Sequence, residues 1–188
     1  MASGGSVTSL PIADFTLLLS TTDAYGLLEP LRNRMKLSLQ FSHSDLDELE
    51  HIVRTRARGL SWQVEDDLFA LIAERSQDTP RKALALLESA HRYCRSKAEN
   101  VITREHLEQA CRMENISSLG LGSTDQAYLR LLADGPKRLN VLASLIGVPS
   151  RTLSSVNEPF LLRKGFITKD DSSRRCLTPK GVATLAAL

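Results

Sequence analysis

The apolar and polar positions of this chain change rhythm three times along its length. Residues 1–9 are rich in Gly, Ser and Thr, a composition expected to be loose at a chain end. Phe15-Thr16-Leu17-Leu18-Leu19 is a near-continuous apolar run, which predicts a strand covered on both faces. A helical turn is expected around Pro30-Leu31-Arg32-Asn33-Arg34. The alternation from Leu37 to Phe41 predicts a second strand.

The next stretch repeats every three to four residues, the period of amphipathic helices. Ser44 is the expected N-cap of the first, with Asp47 three residues on as its capping-box partner. Leu46, Leu49, Ile52 and Val53 then share one face, and Gly59 ends the helix. Val64 to Arg75 predicts a second helix. Thr79 and Pro80 predict the start of a third, because Thr caps well and proline's missing N–H costs nothing in the first turn. Leu84, Leu87, Ala90 and His91 are its expected core face. Thr103 is expected to cap a fourth, with Leu107, Ala110 and Cys111 inward.

Residues 117–123 are rich in Gly and Ser and read as a linker. Helical segments are expected at Asp125–Ala133, Leu139–Ile146 and Ser150–Leu162, the last with Ser150 as N-cap. A strand at Gly165–Thr168, a hairpin tip at Asp170–Ser173, a return strand at Arg174–Leu177 and a helix after Thr178-Pro179 complete the pattern. Three helices followed by a hairpin are the winged helix-turn-helix arrangement. The fold class is therefore mainly α, a small helical bundle followed by a winged helix.

Charge sharpens this picture. From Leu119 to Leu188 ten Lys/Arg stand against five Asp/Glu, while fourteen stand against seventeen before it. The net charge of +2 thus hides a basic last third. Such asymmetry suits a C-terminal domain that faces nucleic acid. No apolar run reaches the roughly 18–20 residues that span a bilayer, so no membrane partner is expected. Cys94, Cys111 and Cys176 are odd in number and widely spaced, which fits a reduced, cytoplasmic protein better than a disulfide scaffold. His43, His51, His91 and His106 show no metal-ligand spacing.

Several fragments, in order, resemble the RuvB family of AAA+ motors. They are Leu10-Pro11, Phe15-Thr16-Leu17, Ser20-Thr21-Thr22, Pro30-Leu31-Arg32-Asn33-Arg34, Asp78-Thr79-Pro80-Arg81, Glu158-Pro159-Phe160-Leu161 and Gly165-Phe166-Ile167. The resemblance implies four parts. Residues 1–41 would be a remnant of the large AAA+ domain with its last strands, 42–116 the helical lid, 117–123 a linker and 124–188 the DNA-binding winged helix. It also implies roles. Thr22 falls at sensor 1, where a hydroxyl can hold a phosphate oxygen or the attacking water. Arg34 falls at the arginine finger, where a fixed planar cation meets charge on a transferring phosphoryl group. Arg81 falls at sensor 2 on the first turn of a lid helix, and Phe41 beside the adenine. Lys169, Arg174 and Arg175 lie on the hairpin where the family contacts DNA, and Arg151, Arg163 and Lys164 could add contacts from the third helix. Basic hairpins of this kind meet backbone phosphates, which position rather than specify.

An intact parent of this type would bind ATP or ADP with Mg, form a homo-oligomeric ring, act with a RuvA-like partner and grip a four-way junction or duplex DNA. This sequence contains no G-x-x-x-x-G-K-[ST] and no Gly-Lys pair, so no P-loop is expected to cradle phosphates. No apolar strand ending in an acidic pair precedes Thr22. The chain alone is therefore expected to bind nucleotide weakly and to be inactive, as a fragment, a truncated form or a degenerate gene product. Asp23, where the family usually has Arg, and Met35-Lys36 after the finger depart from the family pattern. A second function stays open, that of a non-catalytic winged-helix protein that binds DNA or docks a partner.

Overall fold

The computed structural model describes residues 13–188, divided into two units between Phe41 and Ser42. Residues 1–9 and Leu10-Pro11 lie outside the described part. In the first unit the described helix is α1 (Glu29–Arg34), with Pro30 in its first turn. The strands expected at Phe15–Leu19 and Leu37–Phe41 are not formed among the described residues. A strand exists by exchanging hydrogen bonds with a neighbour, and neither run finds one. Phe15 is 72% and Phe41 88% exposed, so the apolar rhythm alone does not make a strand.

The second unit opens at Asp45. Its carboxylate accepts from the Glu48 N–H at 2.8 Å, and Glu48 accepts in return from the Asp45 N–H at 3.2 Å. This reciprocal box sits one residue later than the expected Ser44–Asp47 pair. It starts α2 (Leu46–Gly59), whose buried face is Leu49, Val53 and Ala57. The second predicted helix begins later than its pattern suggested. Gln63–Val64 form β1, paired in parallel with β2 (Val101–Ile102), and α3 spans Leu68–Glu74. α4 (Pro80–Ser96) starts at Thr79 with Pro80 in its first turn, and α5 (Arg104–Met113) starts at Thr103. The Thr79 hydroxyl does not cap; it donates to the Gln77 carbonyl at 3.0 Å. In α5 the His106 ring nitrogen Nδ1 accepts from the Thr103 N–H at 3.0 Å, closing the first turn.

These four helices enclose one core, from Leu49 and Val53 through Leu68, Ile72, Leu86, Leu87 and Ala90 to Leu107. α4 turns Ala83, Leu86, Leu87 and Cys94 inward. Leu84 and His91, expected inside, are only half-buried. His91 lies flat against Trp62, the ring centroids 3.8 Å apart and the planes 9° from parallel.

A second core belongs to the winged helix, built on Tyr128, Leu129, Leu142, Leu153, Phe160, Leu161 and Phe166. Its elements are α6 (Ser123–Ala133), α7 (Leu139–Ile146), α8 (Ser150–Thr152), a π-helical turn at Leu153–Asn157, α9 (Glu158–Arg163), β3 (Ile167–Lys169), β4 (Arg175–Leu177) and α10 (Pro179–Ala186). The single helix expected at Ser150–Leu162 is thus broken into three pieces, capped at Pro149 rather than Ser150. Pro159 gives the reason. Proline has no N–H to donate, and its ring crowds the carbonyl four residues back. The chain widens by one residue there, and the Glu158 N–H reaches the Leu153 carbonyl.

The segment expected as a linker is a packed turn. Ser117 N–H donates to the Leu121 carbonyl at 3.0 Å, Gly120 N–H to the Ser117 carbonyl at 2.9 Å, and Leu121 is fully buried. Gly120 has φ +73°, and a Cβ there would stand 2.5 Å from the Arg75 carbonyl oxygen. Only glycine combines that conformation with that approach. Polar side chains tie the two cores across this turn. Gln77 Nε2 donates to the Gly120 carbonyl at 2.7 Å and to Asp125 Oδ2 at 2.8 Å, and Asn157 donates to Asp125 Oδ1 at 2.6 Å. Lys82 adds a hydrogen bond to Gln77 Oε1. Among the described residues no buried side-chain nitrogen or oxygen lacks a partner, so this buried network is fully connected, the condition under which it stiffens a junction.

Candidate nucleic-acid interface

The wing is held from its inner face. Ile167 pairs with Leu177, Thr168 with Cys176 and Lys169 with Arg175, antiparallel. A bridge from Lys137 to Arg175 adds a third, one-residue strand, with Arg175 N–H donating to the Lys137 carbonyl at 2.7 Å. Asp170 shapes the tip. Its Oδ1 accepts from the Ser172 N–H at 2.9 Å and the Arg174 N–H at 2.8 Å, while Oδ2 accepts from Arg174 Nε at 2.8 Å. The backbone N–H of Arg174 first, with its side chain, holds the Asp170 carboxyl below the usual range.

The expected DNA-facing cations are placed differently. Arg174 is half-exposed and pairs only with Asp170. Lys169 is exposed, its Nζ 3.7 Å from Glu158 Oε2. Arg151 is exposed on α8, with no carboxylate within ion-pair distance among the described residues. Arg175 is turned inward. Its Nε lies 2.6 Å from Glu158 Oε1 and its Nη2 3.2 Å from Oε2, and the Tyr128 hydroxyl donates to Oε1 at 2.6 Å. Burial pushes the Glu158 carboxyl up, but hydrogen bonds from Arg175 and Tyr128 outweigh it and hold the group below the usual carboxylate range. Burial, with the Glu158 hydrogen bond, pushes the Tyr128 phenol up.

Arg163 and Lys164, at the end of α9, pair with a carboxylate of the bundle. Lys164 Nζ reaches Asp78 Oδ1 at 2.9 Å and Arg163 lies 3.7 Å from Asp78 Oδ2, so both tie the winged helix to the bundle. Arg138, at the N-cap of α7, is exposed beside Lys137 and was not singled out from sequence. The only hint of it was two adjacent cations after Gly135-Pro136.

The residues expected around a nucleotide divide between the two units. Thr22, Arg34 and Phe41 belong to the first unit, all exposed, with no hydrogen bond or ion pair among them. Arg81 belongs to the second, exposed on the first turn of α4.

Comparison with known proteins agrees with this anatomy. Residues 45–117 match the family described as the RuvB AAA lid domain, and residues 118–186 the RuvB C-terminal winged helix domain. A Holliday junction branch migration complex subunit RuvB from Kosmotoga olearia is 34% identical over 169 residues, 88% of this chain and 49% of that protein. The corresponding subunit from Acidothermus cellulolyticus is 36% identical over 189 residues, 98% of this chain and 49% of its own. The Thermotoga maritima RuvB Holliday junction branch migration motor superposes with a TM-score of 0.74 at 30% identity, over 85% of this chain and 55% of that one. The chain spans about half the length of the curated relatives it matches. Among the described residues no helix is long and apolar enough to cross a membrane.

Proposed function

We propose, for a chain that belongs to the RuvB family through its lid and winged-helix domains, that it serves as the lid and DNA-gripping part of an ATP-driven Holliday-junction branch-migration motor in the cytoplasm. Its own share is mechanical. The winged helix holds duplex DNA by its phosphates, and the packed joint at Gly120 makes the lid move with it. The observation that carries this is the division of charge in the winged helix. Of its five carboxylates, Glu158 and Asp125 are buried and engaged and Asp170 is bound into the hairpin, which leaves Asp134 and Asp171 exposed. Arg138, Arg151, Lys169 and Arg174 stand exposed. Exposed cations on a helix-and-wing surface meet backbone phosphates, a sequence-independent contact suited to a motor that must travel along DNA.

The remaining roles belong to an intact motor. There Thr22 would act as sensor 1, Arg34 as the finger toward a neighbouring subunit of a homo-oligomeric ring, Arg81 as sensor 2 and Phe41 as the adenine neighbour. ATP with Mg would supply the driving chemistry, and a RuvA-like protein would be the partner at the four-way junction.

The test is a titration of the full chain against a fluorescent duplex and a fluorescent four-way junction at several salt concentrations. Each phosphate contact contributes about 0.9 to the slope of log affinity against log salt. The double variant Arg151→Ala/Arg174→Ala should lower that slope by about 2. Absence of binding at low salt, or binding indifferent to salt, refutes the DNA-gripping role.

A further inference from the structure

Arg174 and Arg175 are neighbours in sequence, yet the Arg174 side chain is 48% exposed and that of Arg175 only 11%. Successive strand residues point to opposite faces. Arg175 shares its face with Leu177, which packs on the winged-helix core, and with its register partners Lys169 and Lys137. Three cations thus lie side by side across a narrow sheet, an arrangement that repels itself. The counter-anion is Glu158, 2% exposed, on the helix beneath. Both its oxygens take Arg175, Oε1 also takes the Tyr128 hydroxyl, and Lys169 lies 3.7 Å away. One carboxylate therefore joins α6, α9 and both strands of the wing.

We propose that Glu158 and Arg175 form an internal clamp that sets the wing against α9. Both are then positioning residues for DNA binding, and the phosphate contacts fall to the outward cations Arg151 and Arg174. Arg175 is poorly placed to be a contact itself. Its fork is committed bidentately to Glu158, and its Nη1 donates to the Ser173 carbonyl at 2.9 Å. Reaching a phosphate would strand a buried carboxylate, and an uncompensated buried charge is strongly unfavourable. Arg174 on the outer face has only the half-buried hairpin carboxylate of Asp170 to leave, which keeps its two backbone N–H donors when Arg174 departs.

The assignment rests on the DNA-gripping role proposed above. The experiment uses the full chain and the fluorescent duplex over a range of salt, at a temperature where each variant is folded by circular dichroism. Glu158→Gln/Arg175→Gln removes both charges together and leaves no buried ion unpaired. The clamp predicts an affinity about tenfold lower at every salt concentration, from lost pre-organisation of the wing, with the salt slope of the wild type. A slope lower by about 0.9 would mark Arg175 as a phosphate contact and overturn the clamp. Unchanged affinity and slope would overturn it as well. Arg175→Lys serves if the double variant does not fold. Lysine keeps the cation but lacks the fork, so the clamp predicts weaker binding with an unchanged slope, whereas a phosphate contact predicts wild-type behaviour. Wild-type protein without salt-dependent binding overturns the DNA role and this assignment together. Wild-type binding with a reduced slope in the double variant overturns this assignment alone.

Discussion

Gly120 offers the most direct probe of the joint between lid and winged helix. Substitution by alanine acts in three ways. At φ +73° a residue with a Cβ is in the left-handed region, which costs roughly 1–2 kcal/mol. The new methyl would also meet the Arg75 carbonyl oxygen at 2.5 Å and its carbonyl carbon at 2.8 Å. Both are backbone atoms and cannot rotate aside, so the two segments must separate. Overpacking of this kind costs roughly 1–3 kcal/mol. Against this, alanine lowers the entropy of the unfolded chain, a gain of about 0.4–1 kcal/mol. The net effect is a loss of about 3 kcal/mol, which lowers the melting temperature by about 6–12 °C for a body of this size.

Gly147 supplies the control. It also has a left-handed φ, +80°, but a Cβ there would meet nothing within 4 Å. Gly147→Ala therefore carries the conformational cost alone, about 1 kcal/mol or less after the unfolded-state gain. Scanning calorimetry on both variants separates the two contributions. Equal melting temperatures for Gly120→Ala and Gly147→Ala would show that the approach to Arg75 is not a constraint, and the stiffness of the joint would lose its basis.

Two local features are testable in the same protein. Trp62 is the single tryptophan. Burial, aided by Arg95, holds the pKa of the His91 ring stacked on it below the ordinary value. Folding thus favours the neutral ring, and the stack loses stability as pH falls. Protonated imidazole quenches indole, so Trp62 fluorescence should drop with a midpoint below the ordinary histidine value of about 6.5 and lose that step in His91→Gln; a midpoint at or above it would contradict the placement. At the start of α2, Asp45→Ala should cost about 1 kcal/mol and Ser44→Ala almost nothing. Thermal melts giving the reverse order would restore the earlier register.

What could be read from sequence was set by how far each interaction reaches along the chain. The start of α4 was legible from Pro80, which suits a first turn, and that of α5 from Thr103, because both signals are decided within four residues. The start of α2 was harder, since Ser44–Asp47 and Asp45–Glu48 have the same spacing. Packing chooses between them by bringing Leu49, Val53 and Ala57 into the core. The strands expected in the first unit failed for the opposite reason. Their pattern was local, but a strand needs a distant partner, and none pairs with them among the described residues. The wing was correctly read as a basic hairpin, yet Arg174 and Arg175 were treated alike. Strand alternation applied from Leu177 would have separated them. That Glu158, 17 residues away, receives Arg175 was not legible, nor was Gln77 meeting Asp125 across 48 residues.

The two buried networks meet at adjacent residues. Asn157 closes the joint by donating to Asp125, and Glu158 closes the wing by receiving Arg175. In a regular helix, neighbours point about 100° apart, and both could not be placed so freely. The widened turn ahead of Pro159 lies at this point; Asn157 meets α6 at Asp125, and Glu158 meets α6 at Tyr128 and the wing at Arg175. Asn157 and Glu158 are therefore tied at adjacent positions to the lid, through Asp125 and Gln77, and to the wing, through Arg175. No flexible linker intervenes, because residues 117–123 are packed and Leu121 is buried. A winged helix mounted this way cannot swing independently of the lid without breaking satisfied buried hydrogen bonds, so any displacement of the lid is delivered to the proposed DNA-gripping surface as a movement of the whole second unit.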